Sequence, residues 1–230
     1  HSDGITAVSE SLRVETFQNF DIKKQIEVIP NFIDLKRFSK KRKDHFKKAI
    51  APNGEKLIVH TSNFRKVKRV PDVVLAFDKI RQALPAKLLL IGDGPERTNV
   101  EQLCREICSG DDVRFLGKQE MIEEILSVSD LFIMPSETES FGLAALEAMA
   151  CQVPVISTNS GGLPEVNIHG VTGFLSNVGD VDDMANNAIS ILSNENNLHQ
   201  FKHNALEQAK RFDIKKIMPM YEKFYEKIIG

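Results

Sequence analysis

Short apolar runs alternate along this chain with longer stretches in which apolar residues recur at helical spacing. That is the pattern of strands and helices in a parallel α/β sheet. The runs at 56–61 (KLIVHT), 87–91 (KLLLI), 113–116 (VRFL), 131–134 (LFIM), 153–157 (VPVIS) and 173–175 (GFL) read as strands. Several are apolar on both faces, as strands covered by helices on each side must be. Helical spacing predicts helices over 71–84, 97–108, 121–127, 142–150, 181–192, 198–211 and 214–228. Pro71 stands where a first helical turn tolerates proline, and Asp180 is placed to cap the helix that opens at Val181. The opening fits this unit less well. Residues 4–8 (GITAV) and 27–29 (EVI) read as strands, with a short helix starting at Ser9, which suggests the tail of another unit and a connector.

The 230 residues carry 30 basic and 32 acidic side chains, a net charge of -2. Such balance gives no global attraction to nucleic acid or to an anionic membrane. The apolar runs are far too short to span a bilayer. The chain begins with His1 and has no charged-then-apolar leader, which leads us to expect part of a longer cytoplasmic polypeptide. Cys104, Cys108 and Cys151 are too few for a disulfide framework and read as small packing residues. His199 and His203 have metal-like spacing but sit among polar residues, so a surface pair is expected and no metal site. The lysine-rich stretch from Lys36 to Lys48 reads as a solvated amphipathic helix with Phe46 and Ile50 turned inward; a membrane patch is the alternative.

Chemistry gathers where the strands end. From Leu143 to Cys151 the chain reads LAALEAMAC, with Glu147 its one charge. A helix apolar all round is buried, and a carboxylate there needs a partner, either an internal donor or the paired hydroxyls of a ribose. The loop before it holds Glu139, Ser140, Phe141 and Gly142. Free amides at a helix start, aided by the helix dipole, seat a phosphate. Past the strand at 56–61 come Arg65, Lys66, Lys68 and Arg69, cations that suit a diphosphate or simply a solvated loop. Gly92 and Gly94 form a tight strand-to-helix turn, although Pro95 spoils a dinucleotide fingerprint. Residues 161–165 (GGLPE) and 170–173 (GVTG) add further glycine-rich turns.

In order and spacing, these motifs resemble family 4 glycosyltransferases of the GT-B fold. The resemblance rests on Glu139-x7-Glu147 with its inner Ser-Phe-Gly, Gly92-Asp93-Gly94-Pro95, VRFLG at 113–117, GGLPE, GVTG, and Ala7-Val8-Ser9-Glu10 with Ile29-Pro30-Asn31. It implies a doubly wound, Rossmann-like nucleotide-sugar domain over 34–211. Residues 1–33 would be the tail of an acceptor-side domain plus connector, and 212–230 a helix crossing back to it. The stretch at 60–74 is similar to members that join N-acetylglucosamine to L-malate in bacillithiol synthesis, which implies UDP-N-acetylglucosamine as donor and L-malate as acceptor.

The resemblance further places Glu147 at the ribose, Glu139 by the donor sugar, and the amides of Ser140, Phe141, Gly142 and Leu143 at sugar and phosphates. Arg114, Phe115 and Leu116 would meet the base, and Lys68 the diphosphate. The arginine that the family carries five residues before that lysine is Asn63 here, and Arg65 is the candidate substitute. The expected reaction retains configuration, with Lys68, Arg65 and the helix start stabilising the departing diphosphate. Nothing in the sequence looks like a metal-carrying Asp-x-Asp site, so metal independence and no cofactor are expected. Rival readings are a family member acting on a membrane lipid or another small acceptor, a nicotinamide dehydrogenase, and a nucleotide-binding module without turnover; homo-oligomerisation stays open.

Overall fold

The structure, a computed structural model, describes residues 2–41, 44–108 and 111–229. Its centre is a six-stranded parallel sheet built from β3 (Lys56–Ser62), β4 (Ala86–Gly92), β5 (Val113–Gly117), β6 (Leu131–Met134), β7 (Val155–Thr158) and β8 (Gly173–Ser176). The strand order is β5-β4-β3-β6-β7-β8. The chain therefore starts in the middle, winds outward to one edge, returns, and winds to the other.

Both faces of the sheet are covered, and alternate strand residues divide between two cores. Leu57, Val59, Leu89, Phe132, Met134 and Val155 face α5 (Ile122–Leu126), α6 (Leu143–Ala150) and α9 (Glu195–Ala209). Ile58, Leu88, Leu90, Ile133 and Ile156 face α3 (Val70–Ala83), α4 (Arg97–Ile107) and α8 (Val181–Leu192). This two-sided burial is what the continuous apolar runs dictate. Local chemistry sets the helix starts. Pro71 lies in the first turn of α3, and the Asp180 carboxylate accepts the Asp183 amide at 3.0 Å to cap α8.

Three expectations need correction. The strand expected from residue 153 begins at Val155, because Pro154 has no amide to give the ladder and contributes only its carbonyl, to Phe132. Among the described residues the lysine-rich stretch is helical as α2 (Asp44–Ile50), with Ile50 buried and Phe46 half-buried; residues 35–37 form a turn in which the Asp34 carboxylate accepts the Lys36 amide. The GGLPE turn continues into a short helix, α7 (Leu163–Val166), since Pro164 suits a first turn. Cys104 and Cys151 are buried free thiols and Cys108 is half-buried, while His199 and His203 are exposed.

The opening residues make a smaller parallel pair, β1 (Ile5–Ala7) and β2 (Ile26–Val28), joined by α1 (Glu10–Asn19). The terminal helix α10 (Ile214–Ile229) packs on this pair. Tyr221 donates to the Ile29 carbonyl at 3.3 Å, and Lys227 pairs with Glu27 at 3.5 Å. A Cβ at Gly4 would lie 2.3 Å from Ile228. None of the described helices is long and apolar enough to cross a membrane.

Candidate active site

β3 and β6 are neighbours whose crossovers leave in opposite directions, so the loops beyond them flank a crevice at the carboxyl edge of the sheet, where open α/β folds bind ligands. The Glu137 amide donates to the Val67 carbonyl at 2.8 Å and ties the two loops together. Across the crevice Lys68 pairs with Glu139, and the two side chains remain 20% and 17% exposed. Two hydroxyls, from the end of β7 and the loop after it, hold the β6 loop from the far side. Thr158 donates to the Ser136 carbonyl and Ser160 to the Glu137 carbonyl, each at 2.6 Å. The Ser136 hydroxyl itself is buried without a partner among the described residues.

The start of α6 is shaped by glycine. Gly142 has φ of 100°, and a Cβ there would sit 2.7 Å from Leu163, so conformation and space both demand a residue without a side chain. No side chain caps the helix, which leaves its first amides and the positive end of its dipole turned to the crevice. Gly161 and Gly162 come just as close from the other wall. Their Cβ atoms would meet the Glu139 and Ser140 carbonyls at 2.1 and 2.4 Å, and the Gly162 amide donates to the Glu139 carbonyl at 2.8 Å. A cleft of about 970 Å³ opens here, lined by Lys68, Thr138, Glu139, Ser140, Gly161 and Glu165, with α1 as its other wall.

Glu147 lies one turn and more into α6. It is mostly buried, and no hydrogen bond or ion pair reaches its carboxylate among the described residues. Burial pushes its pKa up to about 7; Arg37 works against that rise and Glu123 adds to it. The internal partner weighed from the sequence is not found among the described residues. Arg37 instead pairs with Glu123 at 3.5 Å. On β3, His60 is fully buried, with its ring nitrogens 2.8 Å from the Ile133 carbonyl and 2.9 Å from the Ser62 hydroxyl. Desolvation lowers its pKa to about 4, so it sits neutral beneath the site.

The remaining expected residues divide clearly. Asn63 and Arg65 are exposed on the loop after β3, and Arg65 forms no ion pair among the described residues. Gly92 and Gly94 are explained by packing, since Cβ atoms there would lie 1.8 and 2.0 Å from the Ser62 and Asn63 carbonyls. Arg114 is exposed on β5, Phe115 packs under the Arg97 guanidinium at 5.9 Å, and the Leu116 carbonyl accepts from Gln119 at 2.5 Å. Leu143 is 41% exposed at the helix start, so α6 is not buried all round. The Phe141 ring is a core residue, edge-on to Phe212 at 5.5 Å, which leaves only its backbone for a ligand.

Sequence reasoning missed the part played by Ser9 and Glu165. Glu165 accepts the Glu10 and Ser11 amides at the start of α1, and Ser9 donates to the Ser140 carbonyl. Their motifs were visible, but motif spacing says nothing of which residues meet across 131 or more positions.

Fold and crevice together define an open, doubly wound α/β protein with an uncapped helix start at its switch point, the place where this architecture binds nucleotides. Residues 41–208 match the family described as glycosyl transferases group 1, and the chain belongs to that family. It is 46% identical, over 99% of its length, to N-acetyl-alpha-D-glucosaminyl L-malate synthase of Bacillus anthracis, and spans 60% of that relative. It is 30% identical to D-inositol 3-phosphate glycosyltransferase of Mycolicibacterium smegmatis, covering 81% of this chain and 44% of that one.

Among solved structures, sucrose-phosphate synthase from Thermosynechococcus elongatus superposes with a TM-score of 0.88 at 26% identity, covering all of this chain and 59% of that one. HepE of Anabaena, in complex with UDP and glucose, superposes at 0.91 with 23% identity over 98% of this chain and 63% of that one, a likeness of fold. The expected GT-B type of doubly wound parallel sheet is the observed one.

Proposed function

We propose that this chain is the donor-binding half of a retaining glycosyltransferase that moves N-acetylglucosamine from UDP-N-acetylglucosamine to L-malate. The observation that carries the donor reading is the uncapped start of α6 facing Lys68 across the switch point, with Glu147, unpartnered among the described residues, further along the same helix. The 46% identity to the malate synthase supports the choice of sugar and acceptor.

In this reading the α6 amides, Lys68 and the exposed Arg65 bind the diphosphate and stabilise the charge that grows as it leaves. A cation at position 65 would serve in place of one at Asn63. Glu147 accepts both ribose hydroxyls, which supplies the buried carboxylate with donors. Arg114, with the backbone of Phe115 and Leu116, faces the base. Glu139, paired with Lys68 until substrate arrives, faces the sugar. Residues 1–33 and 212–230 belong with the acceptor-side unit and 34–211 form the donor unit. The reaction needs no metal and takes place in the cytoplasm.

Calorimetry with UDP tests the donor site: the chain binds UDP, and Glu147→Ala weakens binding by about 1–3 kcal/mol, the range for a buried hydrogen-bonding group. Equal affinity in the variant removes Glu147 from the site. For the acceptor, the whole polypeptide that carries this chain is assayed with UDP-N-acetylglucosamine and a panel of acceptors; no turnover with malate refutes that assignment.

A further inference from the structure

Ser9 is the point at which the smaller parallel pair grips the candidate active site. Its side chain is 1% exposed and has two jobs. It accepts the Leu12 amide at 3.0 Å, capping α1, and its own proton goes to the Ser140 carbonyl at 2.6 Å. Glu165 holds the same helix start, its two carboxylate oxygens accepting the Glu10 and Ser11 amides at 2.9 Å each. The first three amides of α1 are thereby satisfied by one serine and one glutamate, and Ser9 has little freedom to turn away.

The consequence lies in the peptide that Ser9 touches. A trans peptide is planar, with its carbonyl and its N–H pointing in opposite directions. Drawing the Ser140 carbonyl toward α1 therefore aims the Phe141 N–H the other way, toward the start of α6. No acceptor among the described residues answers that N–H. The preceding peptide is fixed as well, because the Gly162 amide holds the Glu139 carbonyl at 2.8 Å. The loop is thus set by two contacts, one from within the sheet unit and one from outside it.

We propose that Ser9 is a positioning residue of the donor site: by holding the Ser140 carbonyl it presents the Phe141 N–H to the donor diphosphate, and Glu165 keeps Ser9 in register through α1. The inference rests on the donor-site reading above. It makes the diphosphate seat depend on a contact between the two units, so that separating α1 from the sheet unit disarms the seat. It also gives the glutamate of GGLPE a role without ligand contact.

The test measures UDP and uridine binding, with thermal unfolding alongside, for Ser9→Ala, Ser9→Cys and Ser9→Thr. Cysteine keeps the shape with a weak donor, so it serves if the alanine variant does not fold. Ser9→Ala and Ser9→Cys should weaken UDP about tenfold or more, the loss expected for a hydrogen bond to a charged group. Uridine, which has no diphosphate, should bind as before, and threonine should restore UDP. A variant that melts earlier yet binds UDP like the parent overturns the proposal and leaves Ser9 a helix cap. Equal losses for UDP and uridine overturn it too. If the parent chain fails to bind UDP, the donor-site reading falls and takes this inference with it; if UDP binds and Glu147→Ala weakens it while the Ser9 variants do not, only the inference falls.

Discussion

Two lysine–carboxylate clusters stand at opposite edges of the same pair of strands. At the amino edge, Asp130 just before β6 accepts the Leu57 amide of β3 at 3.0 Å, Lys47 at 2.6 Å and Lys202 at 2.9 Å. Its side chain is 4% exposed. Burial raises its pKa, but Lys202, Lys47 and the Leu57 amide outweigh this and bring it to about 2. At the carboxyl edge, Glu139 has Lys68 and keeps part of its surface in water. One carboxylate is saturated with donors and pins α2 and α9 to the sheet. The other is held by one partly exposed ammonium, and the Phe141 amide near it has no acceptor among the described residues. Similar chemistry yields a structural clamp where donors converge, and a binding edge where strand ends and tight glycines keep side chains away.

The largest effect should come from the clamp. Asp130→Ala leaves two ammonium groups facing a buried gap and should cost about 3–5 kcal/mol in denaturant unfolding. UDP affinity of the folded protein should stay unchanged; a cost below 1 kcal/mol, on the order of an exposed pair, would erase the contrast. The converse variant is Lys68→Met. It should lower UDP affinity by about 1.5–3 kcal/mol, as for a lost hydrogen bond to a charged group, and shift stability by less than about 1 kcal/mol.

Glu147 sharpens the contrast through pH. Its folded pKa is raised from 4.5 to about 7. Its contribution to stability is therefore complete below the unfolded value and lost as pH rises through the folded one. Glu147→Gln should raise the melting temperature at pH 8 relative to the parent, with the gap closing by pH 4; a gap that widens on acidification contradicts this. Asp130 carries the opposite sign, since its depressed pKa means stability lost as pH falls toward 2. The smallest expected effect is none: a chelator should leave UDP binding and turnover untouched, whereas loss restored by a divalent cation would show that the binding edge needs a metal.

Much of this was legible along the chain. LFIM at β6 and KLLLI at β4 are apolar on both faces, and only a strand covered on two sides can bury such a run. Glu139, Glu147 and the glycines near them flagged the carboxyl edge, because charge and glycine are costly inside an apolar α/β pattern unless something requires them. For Phe141 the motif points to the backbone amide, and spacing alone does not say where the ring goes. The residue belongs to the same short motif, but its ring turns into the core while its neighbours face the crevice. The basic stretch at 36–48 reads as one helix, yet Asp34 accepts the Lys36 amide in a turn at 35–37, and helix α2 spans Asp44–Ile50.

The sequence by itself determined the alternation of strands and helices, the two-sided burial of the sheet, and the edge where chemistry collects, since all of these follow from local periodicity and residue type. Only the tertiary structure decided which charges meet. Asp130 found Lys47 and Lys202, Glu147 meets no donor among the described residues, and Ser9 and Glu165 reached the site from far along the chain. The reason is physical. A hydrogen bond or ion pair acts over a few ångströms, and distance along the chain does not set distance in space until crossover connections and packed faces have fixed it.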